Sequence, residues 1–148
     1  MALSKTTTMA FEGRLLYDVY GATATTLMEN ASDITITSTK TYGDTTPKGD
    51  GTAAPVESSR ITKHTISMSW SMLNKTDDTS LTALLTAEAA GTPVSLHGEA
   101  SATGKGPDFD WLLEVTNGQP KDGEQTYSFT ARPTDEGGRV PVIANLYV

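Results

Sequence analysis

From residue 65 to residue 72 apolar and hydroxyl side chains alternate without a break. Ile66, Met68, Trp70 and Met72 fall on one side, Ser67, Ser69 and Ser71 on the other. Strict alternation is the period of a β-strand with one buried face, because successive side chains point to opposite sides of a sheet. The same period predicts strands along most of the chain. Residues 11–21 form a first strand with Leu15, Tyr17 and Val19 on one face, and a short segment follows near residues 26–29. "SDITITSTK" directs Ile34 and Ile36 inward, and residues 61–72 make the longest strand. Val94 and Leu96 point inward from "PVSLHGEA". In "DFDWLLEVTN" Phe109, Trp111, Leu113 and Val115 oppose Asp108, Asp110, Leu112 and Glu114. "NGQPKDGE" is turn chemistry, and "QTYSFTARP" returns beyond it as the second strand of a hairpin, with Tyr127 and Phe129 inward. "PVIANLYV" reads as a terminal strand or arm.

One segment changes period. In "DDTSLTALLTAEAAGTP", Leu81, Leu84, Leu85 and Ala89 recur at helical spacing. Asp78 or Thr79 supplies a cap for the free N–H groups of the first turn, and Gly91 followed by Pro93 ends the helix. The spacing predicts a helix over about 79–90. The strands on either side alternate instead of running continuously apolar, so this helix is not the crossover of a doubly wound parallel sheet. The expected architecture is mainly β: an antiparallel β-sandwich or partial barrel with one flanking α-helix. A single domain over residues 1–148 accommodates it, with an extended N-terminal segment at 1–10 and a long loop at 41–59. That loop carries two prolines and three glycines and almost no large apolar side chain, so it cannot be core. Loops of this length in a compact domain are usually functional or disordered.

Charge and candidate chemistry narrow the function classes. The formal net charge is −7, which argues against a grip on phosphates through clustered Lys and Arg. There is no cysteine, hence no disulfide, thiol nucleophile or Cys-based zinc site. The N-terminal stretch lacks the basic and apolar runs of a signal peptide, and no stretch has the roughly 18 consecutive apolar residues of a membrane-spanning helix. His64 and His97, the two histidines, have no local ligand spacing and read as surface residues rather than a metal site. "GEASATGKGP" fails as a phosphate loop, because five residues separate Gly98 from Gly104 and Gly106 stands where a Ser or Thr belongs. Asp108, Asp110 and Glu114 share a strand face and could pair as acid and base, but a solvated or lumen-facing acidic row is the better reading. No catalytic, cofactor-binding or metal-binding residue emerges, and the residues do not argue for an enzyme. A β domain with strand edges to satisfy and a long polar loop fits a self-assembling structural protein.

The order of elements resembles the major tail (tail tube) proteins of long-tailed bacteriophages. The resemblance runs from about residue 11 to residue 133. It is carried by "SDITITSTKTYG", the long loop, "SRITKHTISMSWSML", the helix with its "GTPVSLHG" continuation and the closing "FDWLLEVTNGQPKDGEQTYSFTARP". It implies six copies in a ring, their sheets joined around a channel, with rings stacked into a tube through which DNA passes without specific binding. It implies a virion protein made and assembled in the bacterial host cytoplasm, with other tail proteins at the tube ends and no membrane partner. The loop would reach a neighbouring subunit or ring through Tyr42, Asp44, Pro47, Lys48, Asp50 and Pro55; the N-terminal segment and "VIANLYV" are further contact candidates. Ser67, Ser69 and Ser71, with Asp108, Asp110 and Glu114, would face the lumen or a neighbour. The alternative is a virion decoration protein or a carbohydrate- or ligand-binding β-sandwich, in which Tyr20 and Tyr42 would present to the ligand.

Overall fold

The computed structural model describes residues 13–47, 54–99 and 105–148. The expected N-terminal segment, and Lys48 and Asp50 of the expected contact loop, lie outside the described residues. Seven strands form one antiparallel sheet: β1 (Arg14–Val19), β2 (Thr26–Leu27), β3 (Ala31–Asp44), β4 (Ser59–Leu73), β5 (Val94–Glu99), β6 (Asp108–Gly118) and β7 (Thr126–Pro133). Their order across the sheet is β2-β1-β5-β6-β7-β4-β3. β2 and β3 are therefore opposite edges, yet only Met28, Glu29 and Asn30 separate them in sequence. That link spans at most about 14 Å, so the sheet must curl until its edges approach each other. The result is a half-barrel, not two separate layers. Gly98 of β5 accordingly faces Ile36 of β3 and Met68 of β4 across the interior.

The alternation in β4 places its apolar face as expected. Met68, Trp70 and Met72 are buried, and the Trp70 ring stacks on Phe129 of β7 with centroids 5.3 Å apart. Leu15, Leu96, Phe109 and Trp111 line the opposite wall, and the indole N–H of Trp111 donates to the Leu96 carbonyl at 3.0 Å. The hairpin of β6 and β7 forms with the register Val115↔Phe129 and Asn117↔Tyr127. Helix α1 (Thr79–Ala90) packs against β6. Asp78 caps it by accepting the Leu81 N–H at 3.2 Å, and Gly91 closes it in a left-handed conformation while the Thr92 N–H returns to the Ala87 carbonyl. Leu81 and Leu84 are buried, and Leu85 and Ala87 pack against the core. Ala89 is exposed, because the last turn carries its contact face through Ala87 and Glu88 instead.

Other expectations need correction. Val19 ends β1 opposite the first residue of β5 and is 70% exposed. Ile36 faces inward yet remains 41% exposed, since it lies where β3 leaves the body of the sheet. Of the two readings of the C-terminal stretch, strand or arm, the arm is the one formed. It is a strap that crosses β5 and β6, makes a 3-10 turn at Ile143–Asn145, buries Leu146 and ends with Val148 paired to Gly106 in both backbone directions. A β-carbon on Gly106 would collide with the Gly98 carbonyl oxygen. Gly106→Ala is therefore expected to push the strap off β5 at a cost of about 1–3 kcal/mol. A lowered melting midpoint together with faster exchange of the Val148 amide would show it.

Candidate assembly interface

The most unusual part of the subunit is the ribbon made by β3 and β4. β7 pairs with β4 only from Met68↔Ala131 to Leu73↔Thr126, so residues 59–67 of β4 have β3 as their sole strand partner. The ladder continues from Thr37↔Ser67 out to Asp44↔Ser59. Pairing thus consumes both ends of the expected 41–59 loop and leaves a shorter connection at the tip. The sequence hid the β3 side of this pairing, because Thr41 to Asp44 carry no apolar alternation, whereas β4 was expected from residue 61. Two irregularities interrupt the β3–β4 ladder: an extra residue in β3 between Ser32 and Thr35, in the body of the sheet, where Asp33 takes φ 53°, and an extra Thr62 in β4 opposite Thr41 and Tyr42, in the ribbon. At the tip the Asp44 carboxylate accepts the Thr46 hydroxyl at 2.6 Å and the Thr46 N–H at 2.8 Å, and these bonds hold its pKa below the ordinary value. Being depressed, that pKa makes the turn's extra stability present at neutral pH and lost as the carboxylate protonates.

Every residue of β3 from Thr35 to Tyr42 is exposed, and so is every residue of β4 from Ser59 to Lys63. Tyr42 and Ile61 are register partners, 61% and 51% exposed. A two-stranded ribbon alone is marginally stable in water and offers unpaired edges to other chains. Asp44, Pro47 and Pro55 sit near its tip, with Tyr42 one step below; all are exposed.

The expected hydroxyl and acidic face divides into two parts. Ser67, Ser69 and Ser71 are half-buried on the side of the sheet away from the core, flanked by Thr37, Thr35 and Ser32 of β3. Glu114 is register partner to Thr130, itself partner to Ser69, so it stands exposed in the same hydroxyl field.

Asp108 and Asp110 do not belong to a solvated row. They are 6% and 0% exposed, because the C-terminal strap covers that face of β5 and β6. Arg139 reaches in from the strap. Its Nε donates to Asp110 at 3.1 Å, its terminal nitrogens to Asp108 at 3.2 Å and one of them to Ser95 Oγ at 3.0 Å. The Gly21 N–H donates to both Asp110 oxygens at 3.0 Å, and Ser95 Oγ donates to the Ala22 carbonyl. The charges are paired and hydrogen-bonded, as buried charges must be. His97 is likewise not a surface residue. It is 8% exposed, with Nε2 2.9 Å from the Val148 carbonyl oxygen and Nδ1 3.3 Å from Glu99, which in turn binds Arg14. Both clusters hold the strap down. Among the described residues no group of three His, Cys, Asp or Glu could hold a metal ion, and no helix is long and apolar enough to cross a membrane.

No family model and no curated protein matches the chain. Solved structures do. A chain in the tail of an empty gene transfer agent particle, refined with C6 helical symmetry, superposes with a TM-score of 0.66 at 13% identity, over 85% of this chain and 93% of that one. A chain in the virion of a native gene transfer agent particle gives 0.64 at 10% identity over the same shares. The chain has the fold of a phage-like tail protein. At such low identity the shared feature is the backbone arrangement.

Proposed function

We propose that this chain is a structural subunit of a virion tail that assembles with copies of itself into hexameric rings, stacked as a tube through which DNA passes. The observation that carries the reading is the β3–β4 ribbon: a long, bulged pair of strands exposed at residues 35–42 and 59–63, with apolar side chains at Tyr42 and Ile61. Such a ribbon has no folding role in the subunit that requires its length. Laid on a neighbouring copy it gains both burial and edge hydrogen bonds. The tail-protein fold supports the same conclusion, since one solved chain sharing it comes from a tail with C6 symmetry. In the assembled tube the ribbon, with Tyr42, Asp44, Pro47 and Pro55, reaches an adjacent subunit or ring. Ser67, Ser69, Ser71 and Glu114 face the lumen, where hydroxyls and a carboxylate leave phosphates unbound. The protein then resides in the virion, is assembled in the host cytoplasm and meets other tail proteins at the tube ends.

Removing the ribbon tests this. Ser38 and Ile66 are register partners, so replacing residues 39–65 by Asn-Gly joins them through a tight hairpin turn. The shortened protein is expected to fold, with a melting midpoint within about 2–4 °C of the parent (roughly 1 kcal/mol). It should remain a monomer under conditions where electron micrographs of the parent show rings or tubes of uniform bore. Normal tubes from the shortened protein would remove the ribbon's role. A parent protein that stays monomeric at high concentration would favour a decoration or ligand-binding module instead.

A further inference from the structure

β7 stops at Pro133 while β4 runs on beside empty space, and this leaves a groove of about 690 Å³. Its lining combines apolar Ile66, Phe109, Val142 and Ile143 with His64, Thr65 and Ser67, and includes the exposed cations Lys63 and Arg132. Ile143 is 76% exposed and Val142 47%, although the strap that carries them is fastened by buried ion pairs on its other side. Around Arg139 the strap is polar inward, while Val140, Val142 and Ile143 are turned to solvent. Near the other edge of the sheet the chain carries the opposite character. The end of β1 and the turn after it display Val19 (70% exposed) and Tyr20 (48%) beside Asp18. Gly137 packs against Tyr20 and brings the exposed Asp135 and Glu136 to the same place. The knob is apolar with acidic flanks, and the groove is partly apolar with basic flanks. On a chain of net charge −7, two cations at one groove are a local reversal of sign.

We propose that the groove receives the Val19–Tyr20 knob of a second copy of this chain, with Asp135 and Glu136 meeting Lys63 and Arg132. Knob and groove lie on different strands of the sheet, β1 against β4, β6 and β7, and a head-to-tail contact between them generates a ring when its rotation closes. Apolar burial supplies the attraction, and the charges fix the register and exclude the reversed docking. This rests on the self-assembly reading and specifies the surfaces it uses.

Charge reversal on each side separates the possibilities. One variant carries Lys63→Glu with Arg132→Glu, the other Asp135→Lys with Glu136→Lys; all four side chains are exposed. Each variant alone faces itself with like charges and is expected to raise the concentration needed for assembly at least about tenfold. Mixed one to one they pair acidic groove with basic knob and basic groove with acidic knob, and rings of alternating variants should return. The chain carrying all four changes should assemble by itself, which controls for damage from any single change. If either variant assembles like the parent, or if the mixture and the fourfold variant stay monomeric, the knob and groove do not meet. A parent protein that never assembles overturns the self-assembly reading itself, a result distinct from these.

Discussion

Leu84→Asp is expected to leave no cooperatively folded protein. Leu84 is fully buried on the inner face of α1, within the same cluster as Trp70, Trp111 and Phe129. Truncating a buried leucine costs about 2–5 kcal/mol. Placing an ionised carboxylate there without a partner adds several more, against a stability of roughly 5–15 kcal/mol for a whole domain. Circular dichroism should show loss of the melting transition, not a shifted one. Ala83→Asp, one residue earlier on the exposed side of the helix, should change stability by no more than about 0.5 kcal/mol. If both variants fold equally well, the helix does not pack as described.

The second large effect concerns Arg139. Arg139→Leu removes the guanidinium that joins Asp108 and Asp110 and leaves two buried carboxylates without their cation. Breaking a buried pair on one side costs about 3–5 kcal/mol, mostly the penalty of the stranded charge. The expected result is a lower denaturation midpoint and early proteolysis of residues 134–148, since this cluster fastens the strap. Arg139→Leu combined with Asp108→Asn and Asp110→Asn should recover part of the loss, because neutral amides need no counter-charge. If the triple variant is no more stable than the single one, the carboxylates are not what Arg139 compensates. The strap also carries the outward Val142 and Ile143, so a loosened strap should impair assembly before it unfolds the subunit.

What was legible in the chain and what was not divide along one line. Alternation identified the buried faces of β4, β6 and β7, because which side of a strand is apolar is a property of that strand alone. The helix and both of its caps were legible for the same reason: Asp78, Gly91 and the leucine spacing act within a few residues. The acidic row shows where this ends. Asp108, Asp110 and Glu114 do share a face by alternation, yet only Glu114 meets solvent, since the cover over the other two arrives from Arg139, 29 to 31 residues away. His97 is buried for a similar reason, by Val148, 51 positions on.

By itself, then, the sequence determined local period: antiparallel strands with one apolar face, one capped helix, and no grouping of reactive side chains. The tertiary structure alone decided that the strands curl into one half-barrel, since that depends on how few residues join its two edges. It alone decided that β3 and β4 pair far beyond the core, since hydrogen bonding between polar strands needs no apolar pattern. It also turned two of the three carboxylates of an acidic face into an anchor for the strap. Contacts between residues far apart in the chain leave no period behind, and the surfaces proposed for assembly are built from such contacts.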